Sequence, residues 1–233
     1  MTEMSETKKG ATNSLAPMMI IGLLFFIFGF VTWLNGSLIP FLKIICDLND
    51  FQALFVTFAF YISYTIMALP MASLLKFTGY RIGMVVGLAI MAIGALLFIP
   101  AALSAHYAMF LVALFVLGTG LTILQTASNP YVVFIGPIES AAMRISIMGV
   151  INKFAGVIVP IVFTGLILSD LGDTSKLSLS ENEIKILSER LIVPYLYMTG
   201  VLVLLIGLVY FSNLPSINED LMMESKKDGK DND

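Results

Sequence analysis

Gly118, Thr122, Gln125 and Asn129 follow one another at i, i+4, i+7 and i+11, a polar stripe along one face of an otherwise apolar helix. Gly149, Asn152, Lys153, Gly156 and Pro160 gather on one side of a later apolar run in the same way. Carboxamides both donate and accept hydrogen bonds, which suits a hydroxyl-rich solute, and aromatic rings suit its apolar faces. Asn35, Gln125 and Asn152 can supply the amides, and Trp33, Tyr61 and Tyr131 the walls. Such a stripe should face a wet cavity. A plainer reading is that the same amides only hydrogen-bond between helices. Asn129, just before Pro130, either caps or kinks its helix or touches the solute. Lys153 either snorkels its ammonium to the membrane surface or lines the cavity, and with Asn129 it is a candidate for coupling or gating.

These side chains must be positioned inside lipid. Of the 233 residues 58% are hydrophobic and 12% charged, against roughly 25% charged in a soluble domain. Six segments reach the roughly 20 apolar residues that a bilayer crossing requires. They run from Pro17 to Lys43, Phe51 to Leu75, Arg81 to Leu103, Tyr107 to Ile135, Ile145 to Ser169 and Leu191 to Phe211. Runs such as Ile20-Ile21-Gly22-Leu23-Leu24-Phe25-Phe26 lack the period-two alternation of a membrane barrel, so the backbone must satisfy itself as helices. The fold class is therefore an all-α membrane protein with six transmembrane helices. Gly22, Gly29 and Gly36 on one face of the first span, and Gly83, Gly87 and Gly94 in the third, predict close helix contacts.

Residues 1–16 read as a cytoplasmic N-terminal segment, too polar to join the bundle of 17–211. The apolar run after Lys8 and Lys9 is longer than a signal-peptide core and is kept as a span. With the N-terminus inside, eight basic residues are cytoplasmic (Lys8, Lys9, Lys76, Arg81, Arg144, Lys226, Lys227 and Lys230) against four outside (Lys43, Lys176, Lys185 and Arg190). That bias predicts both termini in the cytoplasm. The outer loop 170–190 carries Ser180, Glu181, Glu183, Ile184, Leu187 and Leu191 at helical spacing, either a short amphipathic surface helix or a solvated connector. The mixed-charge segment 212–233 reads as a disordered cytoplasmic tail or a truncated inter-bundle linker.

The exclusions are equally informative. All 16 Asp and Glu lie outside the spans, so this chain offers no obvious proton carrier. Cys46 and His106 are each the only residue of their type. They leave no disulfide framework, no metal or cofactor site and no buried Ser–His pair, so an enzyme is not expected. A formal charge of -3 gives no reason to expect nucleic acid as a partner.

Several longer motifs carry a resemblance. They are Thr32-Trp33-Leu34-Asn35-Gly36-Ser37-Leu38-Ile39-Pro40-Phe41-Leu42-Lys43, Phe51-Gln52-Ala53-Leu54, Gly94-Ala95-Leu96-Leu97-Phe98-Ile99-Pro100-Ala101-Ala102 and Leu124-Gln125-Thr126-Ala127-Ser128-Asn129-Pro130-Tyr131-Val132. In this order they resemble the fucose, glucose and galactose branch of the major facilitator superfamily, in its N-terminal half. The resemblance implies a carrier of twelve spans in two six-helix bundles, holding a monosaccharide between them in a bacterial inner membrane. Proton symport is usual in that family. Where its fucose symporters carry an Asp in the first span and a Glu in the fourth, this chain has Gly36 and Gln125. A Gln in the fourth span is what the glucose and galactose members carry, which points to a hexose. In the fifth span Gly149 replaces a family Gln, Asn152 remains, and Lys153 stands where a small polar residue is usual. Six spans imply a missing partner: a separate C-terminal half or a second copy. The competing expectations are a truncated fragment that transports nothing and a structural or channel-like homo-oligomer.

Overall fold

The computed structural model describes residues 3–163, 165, 181–212 and 214, with side chains from residue 16 onward. Six α-helices are formed among them: α1 (Glu3–Ile45), α2 (Asp50–Ser104), α3 (Tyr107–Phe134), α4 (Ala141–Phe163), α5 (Glu181–Glu189) and α6 (Ile192–Phe211), with a 3-10 turn at Ile138–Ser140. All but α5 are long and apolar enough to cross a bilayer. The 55 residues of α2 would run about 83 Å if straight, too far for one crossing. Gly79 breaks it with φ 73° and ψ 166°, a region open in practice only to glycine. The two arms, 50–78 and 80–104, are the second and third of six passes.

Several boundaries differ from expectation. The backbone of α1 is helical from Glu3 rather than from Pro17, and α4 starts at Ala141 rather than Ile145. Residues 170–180 of the outer loop and 215–233 of the tail lie outside the described residues. What is described of the loop is the helix α5, with Leu187 and Ser188 buried and the Ser188 hydroxyl donating to Ala102 O at 2.6 Å. The amphipathic reading thus describes it better than a solvated connector.

Local chemistry fixes the ends of the bundle. The N-terminus of α2 is closed by a capping box: Gln52 N–H donates to Asn49 Oδ1 at 2.8 Å, and Asn49 N–H to Gln52 Oε1 at 3.0 Å. At this same end the Tyr107 hydroxyl donates to Gln52 O at 2.8 Å and the Cys46 thiol points at Ala105 O at 3.6 Å. At the opposite end two arginines satisfy terminal carbonyls of helices. Arg81 donates to Val209 O and Tyr210 O at the end of α6. Arg144, only 5% exposed, donates to Val132 O and Val133 O of α3 and to Gly136 O, Pro137 O and the Ser140 hydroxyl. A guanidinium with five donors suits a place where orphaned carbonyls and the negative end of a helix dipole converge.

Between the ends, the glycines set how closely the helices approach. A Cβ on Gly87 would stand 2.7 Å from Leu124 N, one on Gly94 2.6 Å from Leu117 N, and one on Gly120 2.4 Å from Met91 N. The second arm of α2 therefore packs backbone to backbone against α3, as a small-residue seam allows. On its other side it meets α6, where the Phe98 and Tyr195 rings stack at 3.9 Å. The seam of the first span is less uniform than its spacing implies. A Cβ on Gly29 would strike Asn152 O at 2.0 Å, on Gly22 it would meet only ordinary contact with Ile151 at 3.4 Å, and on Gly36 nothing within 4 Å. So α1 and α4 cross tightly at Gly29, while Gly36 borders open space.

Candidate functional site

The α1–α4 crossing builds the first part of the site. Parallel packing of the two helices brings the Asn152 amide to Phe25 O, to which it donates at 3.1 Å. One turn further on, the Trp33 indole lies against Gly156, where a Cβ would be 2.4 Å from Nε1. The ring is thereby held in place and still 44% exposed. Lys153 Nζ sits 5.7 Å from the centre of that ring. Lys153 is 12 residues from Ala141 at the start of α4, about 18 Å along the helix, farther than its four-carbon stem spans. Its ammonium rests over an aromatic face. A lysine at the centre of a span costs about 2.5–3.5 kcal/mol and a cation–π contact returns about 0.5–2 kcal/mol. The ring offsets only part of the cost, and water or a counter-charge has to supply the rest.

The second part lies on the neighbouring side of α1. The Tyr64 hydroxyl lies within side-chain interaction range of Thr32 and Gln125, which brings α1, the first arm of α2 and α3 together at half depth. Tyr61, 45% exposed, packs its ring 6.0 Å from that of Tyr64. Thr32 and Tyr64 were absent from the sequence-derived set. The available signals were that Tyr64 lies three residues after Tyr61, one turn along the same helix, and that Thr32 neighbours Trp33.

Not every candidate joins this group. Tyr131 is 1% exposed, in the packing of α3, and does not wall an open cleft. Asn129 is exposed, near the Arg144 end of α3. Asn35 is 3% exposed and its Oδ1 has no hydrogen-bond partner; an unmet acceptor of that kind costs about 1–3 kcal/mol. The polar stripe of α3 does not face a wet cavity along its whole length. Gly118 presses on Phe60 O and Ser63 Oγ, where a Cβ would be 2.5 and 2.4 Å away, and Thr122 is buried, donating to Gly118 O at 2.8 Å. Only from Gln125 onward does the stripe reach accessible space. A cavity of about 300 Å³ between α1, α4 and α6 contains none of the candidates; Phe26, Phe30, Leu34, Val159 and Phe163 line it, with Tyr197 on its α6 side.

A six-pass helical bundle with polar side chains gathered at half depth defines a polytopic integral membrane protein. Residues 21–223 match the Major Facilitator Superfamily, and the chain belongs to that family. The glucose/galactose transporter of Brucella abortus biovar 1 (strain 9-941) is 39% identical over 208 residues, which cover 89% of this chain and 48% of that protein. The L-fucose-proton symporter of Escherichia coli (strain K12) is 31% identical over 220 residues, 91% of this chain and 50% of that protein. A crystal structure of a Major Facilitator Superfamily transporter, FucP, in the outward conformation matches with a TM-score of 0.74 at 31% identity, over 88% of this chain and 51% of that one. The inward-open xylose transporter XylE from E. coli, at 17% identity and a TM-score of 0.65, shares the fold. The chain therefore spans about half the length of the relatives it matches.

Proposed function

We propose that this chain is one bundle of an alternating-access carrier for a monosaccharide, a hexose of the glucose, galactose or fucose type. The observation that carries the reading is the half-depth cluster of Thr32, Tyr64 and Gln125 beside Trp33, Asn152 and Lys153, the last two on α4, the least buried of the described spans. Along α4, Val150, Phe154, Val157 and Ile161 are exposed, each 60–69%, an apolar strip that a second bundle would cover. Gln125 and Asn152 then serve sugar hydroxyls and Trp33 and Tyr61 the apolar sugar face. The names of the relatives, glucose/galactose transporter and L-fucose-proton symporter, favour the same solute class. With every carboxylate outside the spans, any proton coupling belongs to the other half. The exposed α4 strip equally fits a second copy of this chain, and the two partners differ in what reconstitutes uptake.

Uptake of labelled glucose, galactose and fucose into proteoliposomes tests this. The chain alone and the chain with a C-terminal six-helix half are compared, with and without a proton gradient. We expect uptake with the paired halves, lowered at least about tenfold by Gln125→Ala or Asn152→Ala at equal protein density. Uptake by neither preparation would refute the carrier reading; uptake by the chain alone would identify a homo-oligomer.

A further inference from the structure

Lys153 is the only charged residue at half depth in any of the described spans, and no carboxylate lies at that depth to balance it. Lysine at this place offers three donors, no acceptor and a full charge. Neutral sugar hydroxyls do not call for such a group, since Gln125 and Asn152 already provide amides that donate and accept. The surroundings leave space for a further substituent. The side chain of a helical residue leans over the turn on its N-terminal side, which for Lys153 is the turn of Gly149. A Cβ on Gly149 would meet nothing within 4 Å. The ammonium itself lies over the Trp33 ring, which is pinned against Gly156.

Resting on the monosaccharide reading above, we infer that the solute is an acidic sugar of hexuronate type, whose carboxylate pairs with the Lys153 ammonium next to Trp33 while its hydroxyls meet Gln125 and Asn152. A single lysine matches a singly charged carboxylate. A sugar phosphate, carrying about -1.5 to -2 charges, would call for more than one cation or a bidentate arginine, and Arg81 and Arg144 are both committed to helix ends. The solute thereby supplies the counter-charge that the described spans lack at that depth, and neutral hexoses are discriminated against because they leave the lysine unpaired.

Trp33 is the only tryptophan in the chain, so its fluorescence reports directly on this place. The whole chain in lipid nanodiscs is titrated with glucuronate and galacturonate and, separately, with glucose and galactose. We expect saturable changes in emission, with uronates binding at least about tenfold more tightly than the parent hexoses. Lys153→Gln should bring uronates to hexose affinity and leave hexoses within about twofold, and Lys153→Arg should keep the preference. Equal affinity for uronates and hexoses in the unmodified chain overturns the inference while leaving the sugar reading intact, and needs no variant to fold. The same holds if the preference survives Lys153→Gln. Absence of a response to any of the four sugars, with helicity normal by circular dichroism, rejects the sugar site itself.

Discussion

Tyr64 illustrates how a single hydroxyl organises the site. Its hydroxyl lies within side-chain interaction range of Thr32 and Gln125, so Tyr64→Phe should free the Gln125 amide and weaken sugar binding about three- to tenfold. Titration of Trp33 emission checks this, and an unchanged affinity would remove Gln125 from the site. The amides themselves were legible in the sequence because a carboxamide inside an apolar run has few reasons to be there. Their orientation was not: Thr122 and Gln125 share a stripe, yet Thr122 is buried in helix packing and Gln125 only half-buried, a difference that neighbouring helices decide and the stripe does not show. At the Tyr107 end of the bundle, Cys46 makes a pH prediction. Burial favours the neutral thiol and pushes its pKa from its ordinary value near 9 up to about 11. The reactive thiolate is therefore about a hundredfold scarcer near neutral pH, and it becomes abundant only as pH rises toward 11. Maleimide labelling of the folded chain at pH 7 to 8 should be correspondingly slow and should speed up on unfolding; rapid labelling in the folded state would contradict the burial.

The helices obey two different rules, which explains why their number was legible and their joins were not. Hydropathy counts crossings well, since each needs about 20 apolar residues regardless of neighbours. Glycine spacing marks candidate seams without saying which are used, because a partner helix decides: Gly87, Gly94 and Gly120 meet backbone, whereas Gly36 and Gly149, similar in sequence context, meet nothing. Two substitutions separate these cases. Gly120→Val places its Cβ 2.4 Å from Met91 N, a backbone atom that cannot rotate aside. We expect it to cost about 1–3 kcal/mol or more, read as a lowered unfolding temperature in detergent. Gly149→Ala should leave that temperature unchanged, and equal losses at both sites would mean the α2–α3 seam is not the tight one. Gly79 belongs to a third case. Its φ of 73° serves the break in α2 rather than a contact, and Gly79→Ala should cost about 1–3 kcal/mol through backbone strain alone. Arg144 shows the limit of sequence reasoning in the other direction: it reads as one more cytoplasmic positive charge, but its five donated bonds close the corner between α3 and α4.

For the molecule as a whole, the placement of its basic residues along the chain predicts its orientation. One end carries Lys76, Arg81 and Arg144 with Glu139, and the other carries Lys43, Lys185 and Arg190 among Asp47, Asp50, Glu183 and Glu189. Lysine and arginine near span ends resist translocation, whereas carboxylates contribute little. The described ends alone are therefore balanced, at three basic residues each, and Lys8, Lys9, Lys226, Lys227 and Lys230 decide in favour of the Gly79 end facing the cytoplasm. Phe77, 90% exposed beside Gly79, and Phe51, 69% exposed at the start of α2, mark the two ends on the same helix arm. In a Cys46→Ala background, Phe77→Cys in right-side-out vesicles should react with a membrane-impermeant maleimide only after permeabilisation, and Phe51→Cys without it. The reversed pattern would place both termini outside and turn the sugar-facing cleft around. Labelling of both sites in intact vesicles would mean that the first arm of α2 does not cross the bilayer, and the six-pass arrangement that gathers Tyr64, Gln125 and Lys153 at one depth would fail with it.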